Sequence, residues 1–123
     1  MKKNKFSKNW IIKQKRDIYI KKSKLEGYRS RAVYKLQEIN DKFKIIKNNI
    51  LVIDLGAAPG SWSQYISRNF GNSKIISIDL KDIEPIKNLV HIKGDFTEEQ
   101  QKKNIKNYFG KKVDLIVSDM AVN

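Results

Sequence analysis

The sequence predicts an α/β fold with a mostly parallel sheet, preceded by basic helices. Three observations predict it. Short apolar runs each end in an acidic residue or a glycine, helical repeats separate them, and the excess positive charge is confined to the first two fifths of the chain. Continuous apolar runs of this length read as strands buried on both faces. Strands alternating with helices imply right-handed crossovers and parallel pairing. The polar residues that end the strands then gather at one edge of the sheet, where open α/β sheets bind ligands.

Residues 1–8 are polar and basic and are predicted to be a disordered tail. A basic helical segment, residues 9–47, follows. Its first helix is predicted from about Asn9, as N-cap, to Leu25, with Gly27 as the stop. Its second helix has Ser30 as a cap and Ala32, Leu36, Ile39 and Phe43 at helical spacing as the buried stripe. Residues 48–123 hold the strands. The run 50–53 leads into Asp54 and a glycine-rich turn, and a helix from about Ser61 to Asn69 follows, with Trp62, Tyr65, Ile66 and Phe70 at helical spacing and Gly71 as the stop. Further strands are expected over 74–78, 90–92 and 113–117, and Thr97 with Gln100 resembles a capped helix start.

Charge and composition narrow the classes. The chain carries +13, and residues 1–47 account for +12 of it. A concentrated positive field attracts polyanions, and phosphate contacts release counterions, so the first half is expected to face a nucleic acid. The chain has no cysteine and one histidine, His91, which leaves neither a thiolate nor a histidine-rich metal site. No apolar run approaches the roughly 20 residues of a membrane span. Cytoplasmic location without membrane or metal is the expectation.

The turn Gly56-Ala-Ala-Pro-Gly60 lacks the spacing that seats a pyrophosphate on a helix N-terminus. Pro59 removes an N–H that a phosphate cradle would use, and no Gly-Lys-Ser/Thr follows. A phosphate-free ligand such as S-adenosylmethionine fits better. Asp79 ends the second strand and can accept both ribose hydroxyls of an adenosine, which serves a nicotinamide dinucleotide equally well. Asp95, after the third strand, can accept from an adenine amine. Asp54 and Asp95 taken singly are as well explained as caps or turn formers; joined to Gly56 and Gly60, they favour a ligand.

Arg29-Ser-Arg31-Ala-Val-Tyr-Lys35-Leu, Asp54-Leu-Gly-Ala-Ala-Pro-Gly-Ser-Trp62, Gly94-Asp-Phe96 and Ser118-Asp119-Met-Ala-Val-Asn123 together resemble the FtsJ-type RNA ribose 2′-O-methyltransferases. The likeness runs from about Trp10 to the last residue and is nearest to bacterial members acting on a uridine of large-subunit (23S) ribosomal RNA. The resemblance implies a Rossmann-like S-adenosylmethionine-dependent methyltransferase fold, here with its first four strands. It implies that Gly60 and Trp62 line the methionine end of the cofactor, that Asp79 holds the ribose, and that Asp95 with Phe96 meets the adenine. It makes Lys35 and Asp119 two members of a catalytic Lys-Asp-Lys-Glu set, with Asp119 also beside the cofactor. Arg29, Arg31 and Lys35 become RNA-facing. The expected partner is large-subunit ribosomal RNA or the pre-assembled large subunit, and the complete protein is expected to be a monomer.

Two departures accompany the likeness. Val122 stands where the family has proline. The family's second lysine and its glutamate would follow Asn123, so these residues are expected to be the first half of a longer or interrupted enzyme and to lack half of its catalytic set. The other open readings are a non-catalytic RNA-binding remnant and, less favoured, a nicotinamide-dependent oxidoreductase.

Overall fold

The computed structural model describes residues 5–95, 103 and 112–119, with backbone alone for residues 5–7. In chain order these form α1 (Lys5–Glu26), α2 (Val33–Phe43), β1 (Leu51–Leu55), α3 (Ser61–Asn69), β2 (Lys74–Asp79), β3 (Leu89–Lys93) and β4 (Leu115–Ser118). The strands form one parallel sheet in the order β3-β2-β1-β4. The predicted α/β class with a parallel sheet is thus observed. The helix start at Thr97 lies outside the described residues, as does Phe96.

The period-2 alternation of strand side chains divides the core in two. Val52, Ile75 and Val117 point to the face covered by α2 and α3, where they pack with Val33, Leu36, Trp62, Tyr65 and Ile66. Leu51, Ile53, Ile76 and Ile78 form the opposite face. Each fully buried Ile or Leu on these faces contributes about 1.5–3 kcal/mol. Asp54, two residues on from Val52, shares the α3 face and lies under that helix's first turn.

Three expectations are corrected. α1 starts at Lys5, so residues 5–8 are helical and Asn9 lies inside the helix, not at its cap. Ser30 does not cap α2: its hydroxyl donates to the Ser61 hydroxyl at 2.8 Å, and Ala32 stands at the N-cap without a side-chain bond. The buried face of α2 is Val33, Leu36 and Asn40, with Tyr34 beside it, while Phe43 is 63% exposed. The reason lies just past the helix. Lys44 turns left-handed (φ 52°) and sends Ile46 back into the core, and the Ile46 N–H is satisfied by the Asn40 side-chain oxygen at 2.9 Å. A buried N–H must find a partner, so a polar residue takes the position an apolar stripe would assign to Phe43.

Candidate functional site

β1 is flanked by β2 on one side and β4 on the other, so the chain reverses direction across the sheet at β1. That reversal leaves a crevice beyond the carboxyl ends of the strands. Three carboxylates arrive there from three strand ends: Asp54 in β1, Asp79 closing β2, and Asp119 after β4. The glycine turn lies between them. Gly56 has φ 65° and Gly60 φ 106°, left-handed values that favour glycine. The Gly56 and Ala57 N–H groups both donate to the Ile78 carbonyl, at 2.8 and 3.3 Å. The Asp79 carboxylate accepts from the N–H groups of Ala58 and Lys81, each at 2.9 Å. Asp79 therefore anchors the turn and retains lone pairs for a hydroxyl.

Asp54 is 2% exposed and accepts from the Ser63 hydroxyl at 2.7 Å. Burial is the largest influence on its carboxyl and pushes it from 3.8 up to about 6; the Ser63 hydrogen bonds oppose this, and the charges of Asp119 and Asp79 add to it. The small recess beside it, about 60 Å³, is lined by the glycine turn, Asp54, Trp62 and Asp119. Across the crevice the Lys35 ammonium donates to Asp119 Oδ1 at 3.4 Å. So exposed a pair adds little stability; its effect is to keep a cation at Asp119, which lines the recess. Lys35, Asp119 and Arg31 also line a larger adjoining hollow of about 580 Å³.

Residues 28–123 match the family described as FtsJ-like methyltransferase. The chain belongs to that family. It is 62% identical over 123 residues to the ribosomal RNA large subunit methyltransferase E of Pelagibacter ubique (strain HTCC1062), covering all of this chain and 61% of that protein. The protein of the same name from Rickettsia felis is 48% identical over 95% of this chain and 54% of its own length. A crystal structure from Plasmodium falciparum, described as a ribosomal RNA methyltransferase, superposes with a TM-score of 0.71 at 39% identity, covering 78% of this chain and 58% of that one. The chain thus spans little more than half the length of the relatives it matches. Family membership implies a methyl donor.

Within this FtsJ-like chain the other expected residues take distinct places. Trp62 is 6% exposed, and its indole N–H donates to the Ala32 carbonyl at 2.8 Å, so it ties α3 to the start of α2 as it walls the recess. Asp95 follows Gly94 at the end of β3, partly buried. His91 is held by Ser77 at 2.7 Å and the Lys81 carbonyl at 2.9 Å. Among the described residues no cluster of His, Cys, Asp or Glu is arranged to hold a metal ion, and no helix is long and apolar enough to cross a membrane.

Arg29, expected to face RNA, is half-buried, and its guanidinium bonds to the protein's own backbone. Its guanidinium donates to the carbonyls of Pro59 (3.0 Å), Glu84 (2.9 Å) and Pro85 (3.1 Å), and its backbone N–H to Gln64 Oε1 (2.8 Å). It fastens the glycine turn to the β2–β3 loop. The planar five-donor fork suits three carbonyls at once, which a lysine cannot reach. Arg29→Lys is expected to lower stability by about 1 kcal/mol, read as a lower urea midpoint at unchanged m; an unmoved midpoint would show that the fork holds nothing.

Proposed function

We propose that this chain is the cofactor-binding half of a ribosomal RNA 2′-O-methyltransferase, with S-adenosylmethionine as donor and a uridine of large-subunit ribosomal RNA as acceptor. One observation carries the reading: a buried carboxylate and two companions surround a phosphate-hostile glycine turn, with a lysine fixed on one of them. Three carboxylates repel a pyrophosphate and attract a cation, and the charges of Asp119 and Asp79 add to the rise that burial imposes on Asp54. A sulfonium with an ammonium beside it matches that field. The names and family of the relatives support the same reading.

When bound, S-adenosylmethionine supplies an electrophilic methyl carbon. The chain's residues do the rest of what is assigned here. Gly60 and the rest of the turn admit the ligand's backbone-close approach. Asp79 accepts from ribose hydroxyls and Asp95 lies towards the adenine end, with Phe96 after it. Asp119 holds the Lys35 ammonium at the mouth of the recess, where it orients the attacking 2′-oxygen of the RNA; proximity then supplies much of the acceleration. Arg31, exposed at the hollow, meets backbone phosphate. The large-subunit RNA substrate places the protein in the cytoplasm with the ribosome.

Calorimetry on the 123-residue chain tests the cofactor assignment. S-adenosylhomocysteine is expected to bind, Asp79→Asn to weaken it by about tenfold through loss of one charge-assisted hydrogen bond (about 1.5 kcal/mol), and Lys35→Ala to leave it within about twofold. Heat on titrating NAD with none from S-adenosylhomocysteine would overturn the assignment in favour of an oxidoreductase.

A further inference from the structure

The hollow beside Lys35 and Asp119 has one wall that the methyl-transfer chemistry leaves unused. That wall is Tyr19 of α1, which lines the hollow together with Arg31, Lys35 and Asp119. Its ring stacks on Tyr34 of α2, with centroids 5.4 Å apart and planes 29° from parallel. Tyr34 is fixed from several directions: it is 8% exposed, its hydroxyl donates to Glu26 at 3.0 Å, Tyr28 meets it edge-on, and the Lys22 ammonium lies 4.7 Å from the ring centroid. Tyr19 is 44% exposed. A solvent-facing ring on an immobilised support is a surface made for a flat partner.

Cations line both hollows that the ring pair walls. Arg31 and Lys35 lie on the side of the catalytic crevice, and a second hollow, also walled by Tyr19 and Tyr34, carries Lys22 and Lys42; Glu38 lines both hollows and Asp41 the second, so each offers two cations among carboxylates. A stacking surface bordered by basic side chains is how proteins hold single-stranded nucleic acid, the bases on aromatic faces and the phosphates on lysine and arginine.

Resting on the RNA reading above, we propose that Tyr19, backed by Tyr34, is a stacking platform for an unpaired nucleobase of the substrate RNA, adjacent to the nucleotide presented to Lys35 and Asp119. The platform gives the RNA strand a fixed point beside the reacting ribose. It reads no base identity, because every base has a stacking face. Specificity for a single-stranded over a paired target follows from the need for an unstacked base.

The test is equilibrium binding of a short fluorescently labelled single-stranded RNA to the full chain and to Tyr19→Phe, Tyr19→Leu and Tyr19→Ala, at several salt concentrations. Tyr19→Phe is expected to bind within about twofold of the parent, and Tyr19→Leu and Tyr19→Ala about tenfold more weakly. The slope of affinity against salt stays the same, because no cation is lost. Thermal melts and S-adenosylhomocysteine calorimetry accompany each variant. Leucine preserves most of the apolar contact with Tyr34, so a Tyr19→Leu protein that melts like the parent decides the matter if Tyr19→Ala does not fold. Parent-like RNA affinity in Tyr19→Leu overturns the platform and leaves the methyltransferase reading intact, as does a Tyr19→Phe loss equal to that of alanine, which would assign the effect to the hydroxyl. No RNA binding by the parent chain overturns the RNA reading itself.

Discussion

Replacing Gly60 with alanine is expected to destabilise the chain by about 3 kcal/mol and to abolish cofactor binding. Two costs combine at this position. With φ 106° the backbone is left-handed, where a side chain adds roughly 1–3 kcal/mol of strain. The new Cβ would also stand 2.9 Å from a terminal nitrogen of Arg29 and 3.4 Å from Ile86. An arginine tip usually swings aside at little cost. This one is held by the Pro59, Glu84 and Pro85 carbonyls, so moving it breaks charge-assisted hydrogen bonds. A fall in melting temperature on the order of 10 °C is the expected readout. A parent-like melt with parent-like S-adenosylhomocysteine affinity would mean that the turn is not under the constraint its geometry describes.

The second large effect is one of pH. The Asp54 carboxyl stands at about 6 in the fold against an ordinary 3.8. Folded molecules therefore hold more protons than unfolded ones between about pH 4 and 6. Stability from this group falls as pH rises through that window, and the loss is complete above about pH 6. The interval corresponds to about 3 kcal/mol. Asp54→Asn keeps an oxygen for Ser63 and removes the titration, so the difference in unfolding free energy between the variant and the parent is expected to widen in the variant's favour from pH 4 to 7. Parallel curves would refute it. A cationic ligand opposes the same penalty, and S-adenosylmethionine is accordingly expected to bind more tightly at pH 7 than at pH 5.

Much of this architecture is written locally. The β2 strand is legible because its apolar run is continuous and bounded by Asp79, and α3 because Gly60 and Gly71 bracket a helical repeat. The strand-end carboxylates follow from the parallel arrangement, since such a sheet brings every carboxyl end to one edge. Lys35 and Asp119 are separated by 84 positions, and only their resemblance to a family motif joins them before the structure does. What stayed hidden depends on distant partners. Nothing near Arg29 announces that three carbonyls 30 to 56 positions away will claim its guanidinium. The burial of Asn40 depends on a left-handed residue at Lys44, and lysine is no signal for one. Tyr19 reads as one more aromatic on a basic helix until its ring is found over Tyr34.

The sheet order also sets a sequence of assembly. Ile53 pairs with Ile76 and with Ile116, partners 23 and 63 positions along the chain. Closing the longer loop costs about 0.9 kcal/mol more in chain entropy. The β1–β2 pairing, which shapes the glycine turn and seats Asp79 against Ala58, is therefore favoured to form before β4 arrives. Asp119 comes with β4, and with it the pairing of Lys35. A molecule caught between the two steps has its glycine turn shaped and Asp79 seated while Lys35 is still unrestrained.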